Sequence, residues 1–132
     1  MKKIIIDTNF LMIPYKYRVD IFSEFNRICD FNYKLIVFER TIHELRRIIE
    51  KQAGREKKAA QFALKLIGLK GVSMLKSGNT DVDSLILENL NDDTIIATQD
   101  AALKRELLKK GTSVIILRQK KYLEMIERKL YK

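Results

Sequence analysis

Acidic side chains follow two of the most apolar segments of this chain. Asp7 comes directly after three consecutive isoleucines at residues 4–6, and Asp100 follows the apolar segment 94–97 after only two polar residues. Carboxylate oxygens are preferred ligands of Mg²⁺, which keeps open positions for phosphate oxygens. Such an ion can activate water and stabilise the charge of an in-line phosphodiester displacement. The spacing of these acids therefore indicates a candidate metal site.

Three further acids stand near the starts of predicted helices. Glu44 lies in the first turn of a helix that follows the second predicted strand, and Asp81 and Asp83 lie at the start of the helix before the fourth. An alternative is that each acid only caps a helix, since Asp is a preferred N-cap residue and both Asp81 and Asp100 precede helices. This alternative explains Asp7 least well, because Asp7 leaves a buried strand.

The charge of the chain favours a polyanionic partner. The 132 residues carry a formal net charge of +9 and a pI of about 9.7, which suggests nucleic acid. No GxGxxG or GxxxxGK[ST] motif is present, which argues against a dinucleotide or P-loop site. Cys29 is the only cysteine and His43 the only histidine, too few ligands for a zinc site. No apolar run reaches the length of a membrane span, and we expect a cytoplasmic protein.

Strand-like and helix-like segments alternate along the whole chain. Short β-branched runs predict strands, and apolar residues at helical spacing predict helices between them. The predicted strands are 4–6, 34–38, 72–75, 94–97 and 113–117. The predicted helices are 18–30, one capped by Thr41, 55–68, 82–90 and one opened by Asp100, with a basic tail from 118 that ends as a helix. This order predicts an α/β fold, a parallel sheet between two helical layers with ligands at the carboxyl ends of its strands.

Four short motifs, taken in order, resemble the PIN-domain nucleases. The resemblance covers almost the whole chain and is closest to the archaeal branch of VapC-type toxins and ribosomal-RNA-processing endonucleases. Its most specific part runs from Ala97-Thr-Gln-Asp100 to Gly111 and the following Val-Ile-Ile-Leu segment. The motifs are Ile-Ile-Ile-Asp7-Thr8-Asn9, His43-Glu44-Leu45, Asp81-Val-Asp83-Ser-Leu-Ile-Leu and Ile-Ile-Ala97-Thr98-Gln99-Asp100.

The resemblance implies a single PIN-like domain over residues 1–132. Its three-layer α/β/α fold has a parallel five-stranded sheet in the order 3-2-1-4-5, which places the first and fourth strands side by side. It also implies catalytic, metal-binding acids supported by the polar Asn9 and Thr98. Asp83 matches the third family acid better than Asp81, and both could share the pocket only if Asp81 precedes the helix as its cap. The acids are Asp7, Glu44, Asp83 and Asp100, with Asp81 as a further candidate ligand.

The implied activity is that of a Mg²⁺- or Mn²⁺-dependent endoribonuclease. Such a protein could act as the toxin of a toxin–antitoxin pair, blocked by an antitoxin protein, or in RNA processing. The alternative is a non-catalytic RNA-binding or scaffold protein that keeps the fold.

Apolar helix faces around Phe62 and Leu66 could form a homodimer or belong to the core.

Basic residues next to the acids are the predicted contacts of RNA. Arg46 and Arg47 closely follow Glu44, and Lys104 and Arg105 closely follow Asp100. Phosphate contacts from these side chains would give affinity with little sequence preference.

Overall fold

The computed structural model describes residues 1–127. A six-stranded sheet has the order β3-β2-β1-β4-β5-β6, in which the first five strands are parallel and β6 is antiparallel to β5. The α/β fold and the predicted order of the first five strands are confirmed, and the sixth strand is an addition. The strands are β1 (Lys2–Ile6), β2 (Tyr33–Phe38), β3 (Ser73–Leu75), β4 (Thr94–Ala97), β5 (Ser113–Arg118) and β6 (Tyr122–Ile126).

Helices cover both faces of the sheet. One apolar cluster packs Ile4 and Ile6 against four helices, and a second packs Ile5 against the other two. Successive strand residues point to opposite faces, so a strand buried on both sides needs apolar residues at every position. The helices are α1 (Ile13–Tyr17), α2 (Ile21–Ile28), α3 (Glu39–Lys51) and α4 (Gly54–Leu69) on the first face, and α5 (Val82–Glu88) and α6 (Ala101–Lys109) on the second.

Two local predictions are wrong. Thr41 does not cap α3, because the helix begins at Glu39 directly after β2, with Phe38 as its N-cap. Glu44 therefore lies in the second turn rather than the first. The sequence predicted no helix between strand 4–6 and helix 18–30, where the structure forms a 3-10 helix (Thr8–Met12) followed by α1.

The end of the chain also departs from expectation. Part of the predicted basic tail forms β6, which is fixed to α2 by two hydrogen bonds. Arg27 donates to the carbonyl of Leu123 at 2.8 Å, and the Leu123 amide donates to Glu24 at 2.8 Å. The predicted terminal helix falls largely on residues 128–132, outside the described residues. No helix within residues 1–127 combines the length and apolar character needed to cross a membrane.

Candidate active site

Asp7 stands where the buried strand β1 ends. Its amide still donates to the carbonyl of Ala97 on β4 at 2.9 Å, so the chain leaves the sheet at this residue. Its side chain caps the following 3-10 helix by accepting from the Thr8 amide at 2.9 Å. Only 5% of Asp7 is exposed. The order of strands thus places a buried carboxylate at the carboxyl edge between β1 and β4.

Thr98 links two of the predicted acids. Its hydroxyl donates to Asp7 Oδ2 at 2.7 Å and accepts from the amide of Asp100 at 3.0 Å. Thr98 is completely buried, so this connection is shielded from solvent. The structure therefore places Thr98 as a bridge between the two acids at the ends of β1 and β4.

The surroundings of Asp7 favour its neutral form. Burial raises the pKa of Asp7 from 3.8 to about 6, although hydrogen bonds from Thr98 and Thr8 oppose the rise. The negative charges of Asp83 and Glu44 contribute to this rise in the pKa of Asp7. Burial and like charge both disfavour an ionised carboxylate, and a bound cation would reverse both effects.

Asp83 and Asp81 have different environments although they lie two residues apart. Asp83 faces the pocket that contains the other acids, and its pKa is raised by partial burial and by the charges of Asp100, Asp81 and Glu44. Asp81 is exposed and caps α5, with its Oδ1 accepting from the Ser84 amide at 2.8 Å. Asp81 precedes the helix, as sharing a pocket would require, but its side chain does not line this pocket.

Asp100 also caps a helix. Its Oδ1 accepts from the amides of Ala102 and Leu103 at 2.9 and 3.0 Å. The capping interpretation is therefore correct for Asp81 and Asp100, and also for Asp7, which it was expected to explain least well, but it does not exclude a second role. Within residues 1–127, Oδ2 of Asp100 accepts no hydrogen bond, and Asp100 lines the same pocket as Asp7.

Glu44 approaches the pocket from α3. The hydroxyl of Thr8 donates to Glu44 Oε1 at 2.5 Å, which joins α3 to the residue after Asp7. The role of Thr8 was not predicted, although its place beside Asp7 in the first motif was a visible signal.

The four predicted acids Asp7, Glu44, Asp83 and Asp100, together with Glu56 of α4, therefore line one cavity of about 310 Å³, which we call the acidic pocket. Asn9 borders it, and Gln99 donates to both the side chain and the carbonyl of Asn9, at 3.4 and 3.2 Å. The lining residues are Asp7, Thr8, Asn9, Met12, Lys16, Tyr17, Glu44, Ile48, Glu56, Asp83, Gln99 and Asp100.

The donor chemistry of the acidic pocket suits a hard cation, but the acids do not form a closed ligand set. Within the described part of the chain, no three Asp, Glu, His or Cys side chains are close enough to hold a metal ion together. Mg²⁺ usually keeps several waters and binds through one or two carboxylates. The electrostatic coupling of Asp7 with Asp83 and Glu44 is compatible with such a loosely held ion.

A larger basic cavity adjoins the acidic pocket. This cavity, which we call the α3 groove, has a volume of about 850 Å³ and shares Thr8, Glu44 and Ile48 with the acidic pocket. It contains the predicted RNA contacts Arg46 and Arg47. It also contains Lys51, another basic residue that follows Glu44, and three side chains for which the sequence predicted no role, namely Arg40, Gln52 and Asn79.

The two predicted RNA contacts on α6, Lys104 and Arg105, have different surroundings. Lys104 lines a small cleft of about 200 Å³ together with Arg118, and this cleft shares Gln99 with the acidic pocket. Arg105 is exposed and lines none of these three cavities. The structure thus brings three of the four predicted basic residues next to the acids.

Comparison with known sequences defines the class of this protein. The sequence profile of a family described as PIN like domain matches residues 4–120. The chain belongs to this PIN-like domain family, as its motifs predicted.

Individual relatives cover nearly the full chain. Ribonuclease VapC4 of Methanocaldococcus jannaschii is 31% identical over 129 residues, which are 95% of this chain and 97% of the relative. Ribonuclease VapC9 of Archaeoglobus fulgidus is 28% identical over 126 residues, 93% and 90% of the two chains. Among solved structures, the PIN domain endonuclease Utp24 superposes with a TM-score of 0.78 at 19% identity, covering 98% and 96% of the chains, which shows a shared fold.

Proposed function

We propose that this protein is a metal-dependent endoribonuclease that hydrolyses phosphodiester bonds of RNA. The observation that carries the proposal is the acidic pocket, in which Asp7, Glu44, Asp83 and Asp100 meet from four parts of the fold. Two basic cavities flank the pocket and are suited to hold the sugar-phosphate backbone on either side of it. The relatives named ribonucleases VapC4 and VapC9 support RNA as the substrate.

The four acids are the proposed ligands of Mg²⁺ or Mn²⁺. When bound, the ion supplies Lewis-acid activation of water and neutralises charge that develops on the phosphate. Asp7 would bind through its carboxylate, oriented by the hydroxyl of Thr98 and the amide of Thr8. Thr8 holds Glu44 towards the same pocket, and Asn9 with Gln99 closes one side of it. Hydrolysis would break the bond between phosphorus and the 3′ oxygen, giving a 3′-hydroxyl and a 5′-phosphate.

The biological role that we propose is the toxin of a toxin–antitoxin pair, because the named relatives are VapC-type proteins. An antitoxin would then block the acidic pocket, and the protein would act in the cytoplasm. RNA processing is the second candidate role, since the sequence motifs also resemble the ribosomal-RNA-processing branch of the PIN-domain nucleases.

The first test is cleavage of an unstructured RNA with and without divalent ions. We expect internal cleavage with Mg²⁺ or Mn²⁺ and none under thorough chelation. Asp100→Asn should reduce the rate by roughly 100-fold or more, because metal ions supply several kcal/mol of transition-state stabilisation. Asn is as good an N-cap as Asp, so α6 should remain intact and the variant should keep its circular dichroism spectrum.

Two results would contradict the proposal. Cleavage that survives chelation would exclude the metal mechanism. Tight RNA binding without cleavage by the wild-type protein, in any divalent ion, would favour the non-catalytic RNA-binding or scaffold alternative.

A further inference from the structure

Arg40 is a basic side chain of the α3 groove that the proposed function leaves unused. It is the second residue of α3, and its amide donates to the hydroxyl of Ser77 at 2.9 Å. This contact fixes the start of α3 against the loop before α5. The Arg40 side chain is half-buried and lines the α3 groove beside Asn79.

Among residues 1–127, the guanidinium of Arg40 has no ion-pair partner. Its Nε atom is buried and has no hydrogen-bond partner within residues 1–127. No carboxylate of the described residues lies within 4.0 Å of it, whereas Lys16, Arg27 and Arg118 all form ion pairs. Asp81 is close enough only for a longer-range electrostatic interaction. Buried polar groups are normally paired, and Nε itself is closed to solvent. Arg40 lines the α3 groove, so its unneutralised charge is available to an acceptor that enters the groove.

Glu44 could have neutralised Arg40 but is held elsewhere. The two residues are four positions apart on α3, which places their Cβ atoms about 6 Å apart on one face of the helix. The hydroxyl of Thr8 instead binds Glu44 at the acidic pocket. Arg40 therefore presents an unpaired positive charge one helical turn from a proposed catalytic acid.

We propose that Arg40 anchors a phosphate of the RNA strand next to the phosphate that is cleaved. The identification of the strand as RNA rests on the proposed function. A guanidinium can bind a phosphate with two parallel hydrogen bonds, which a lysine cannot do. The separation of one helical turn from Glu44 is comparable to the step between neighbouring phosphates of an extended strand. Arg40 is a substrate-binding residue that holds the strand in register, and it does not touch the reacting atoms.

The test is binding to a panel of single-stranded oligouridylates, each with one phosphate replaced by an uncharged methylphosphonate. Binding is measured in chelator, so no strand is cleaved. For the wild-type protein, we expect one position at which the replacement weakens binding by roughly 10-fold, the usual effect of a charged hydrogen bond. Arg40→Ala should weaken binding of the unmodified strand by a similar factor and abolish the penalty at that position.

Arg40→Lys and Lys110→Ala are the matched variants. Lys keeps the charge but loses the two-pronged geometry, so the penalty at that position should shrink. Lys110 lines a cleft at the opposite edge of the sheet, and its replacement should keep the wild-type pattern. An unchanged penalty at every position in Arg40→Ala would overturn the proposal. If Arg40→Ala fails to fold, an unchanged penalty in Arg40→Lys would overturn it instead.

The outcome is separable from that of the proposed function. Position-specific loss of binding supports the role of Arg40 even if the protein cleaves no RNA. A wild-type protein that does not bind the unmodified strand overturns the role of Arg40 directly.

Discussion

Asp7 combines a structural and a proposed catalytic role in one carboxylate. It caps the 3-10 helix and accepts a hydrogen bond from Thr98, yet its pKa is raised to about 6 by burial and neighbouring acids. In the unfolded chain its pKa is near the ordinary value of 3.8. At neutral pH, the folded protein without metal must therefore hold a charge that the fold disfavours.

We predict that Asp7→Asn stabilises the metal-free protein at neutral pH while abolishing cleavage. The rise from 3.8 to about 6 corresponds to roughly 2–3 kcal/mol, at about 1.4 kcal/mol per pKa unit. Asn can still accept from the Thr8 amide, so the cap is kept. The measurement is the free energy of unfolding in urea, with chelator, for both proteins.

The pH dependence fixes the sign of this prediction. Well below pH 3.8, Asp7 is protonated in both the folded and the unfolded state, and the wild type carries no penalty. As the pH rises from about 4 to 6, the unfolded chain ionises first, so the wild type loses stability relative to Asp7→Asn. The difference should be constant above the folded pKa. If the free energies of unfolding of wild type and Asp7→Asn differ by the same amount at pH 4 and pH 7.5, burial of this charge is not the cause of the difference.

Helix α5 decides which of its two acids reaches the acidic pocket. Asp81 is the N-cap and accepts from the Ser84 amide, whereas Asp83 lies in the first turn and lines the acidic pocket. Residues two apart on a helix point about 200° away from each other. The start of the helix thus separates the acids that the sequence left as alternatives.

We predict that Asp83→Asn damages cleavage more than Asp81→Asn. Asp83→Asn removes a proposed metal ligand from the acidic pocket, and we expect at least a 10-fold loss of activity. Asn replaces Asp well as an N-cap, so Asp81→Asn should change activity and Tm little. The comparison is kcat/KM on one RNA for both variants. The opposite ranking would assign the third ligand to Asp81.

Elements with a strong internal pattern were predictable, and those fixed by distant contacts were not. The strands β1 and β4 were predictable from local sequence alone, because each contains consecutive buried isoleucines. The start of α3 was missed because its Arg40 amide is satisfied by Ser77, a residue from another loop, so a capping box at Thr41 was unnecessary. The turn before β6 has positive φ at both Gln119 and Lys120. Hairpin turns of this kind usually contain Asn or Gly, so nothing in the sequence indicated a hairpin here.

At the scale of the whole molecule, the positive charge is distributed over both edges of the sheet. The α3 groove and the cleft of Lys104 adjoin the acidic pocket, whereas Lys2 and Lys110 border a cleft at the other edge. From the order of the sequence motifs we could predict that the four acids lie close together at one edge of the sheet. The connection of three cavities depends on loop shape and side-chain packing, which spacing along the chain does not reveal.

We predict that the salt dependence of RNA binding depends on the edge at which a charge is removed. Arg47→Ala and Lys104→Ala should each lower the slope of log K against log salt by roughly 0.7, as expected for one lost phosphate contact on a single strand. Lys110→Ala is the control and should leave the slope nearly unchanged. Binding is measured in chelator over a salt series.

Equal changes for Lys104→Ala and Lys110→Ala would mean that the net charge acts as a diffuse field. Arg105→Ala should have a smaller effect than Lys104→Ala, because Arg105 lies outside the three cavities.

The direction of β1 has a practical consequence for handling this protein. Met1 is exposed at the start of the strand, and Asp7 follows its far end, a span of about 13 Å from Lys2 to Ile6. Strand β6 runs back beside β5, so Ile126 also lies near the edge opposite the acidic pocket. A sensor surface coupled through the amino terminus would thus leave the acidic face open to solution. Immobilisation at this end is suited to kinetic measurements on long, flexible strands.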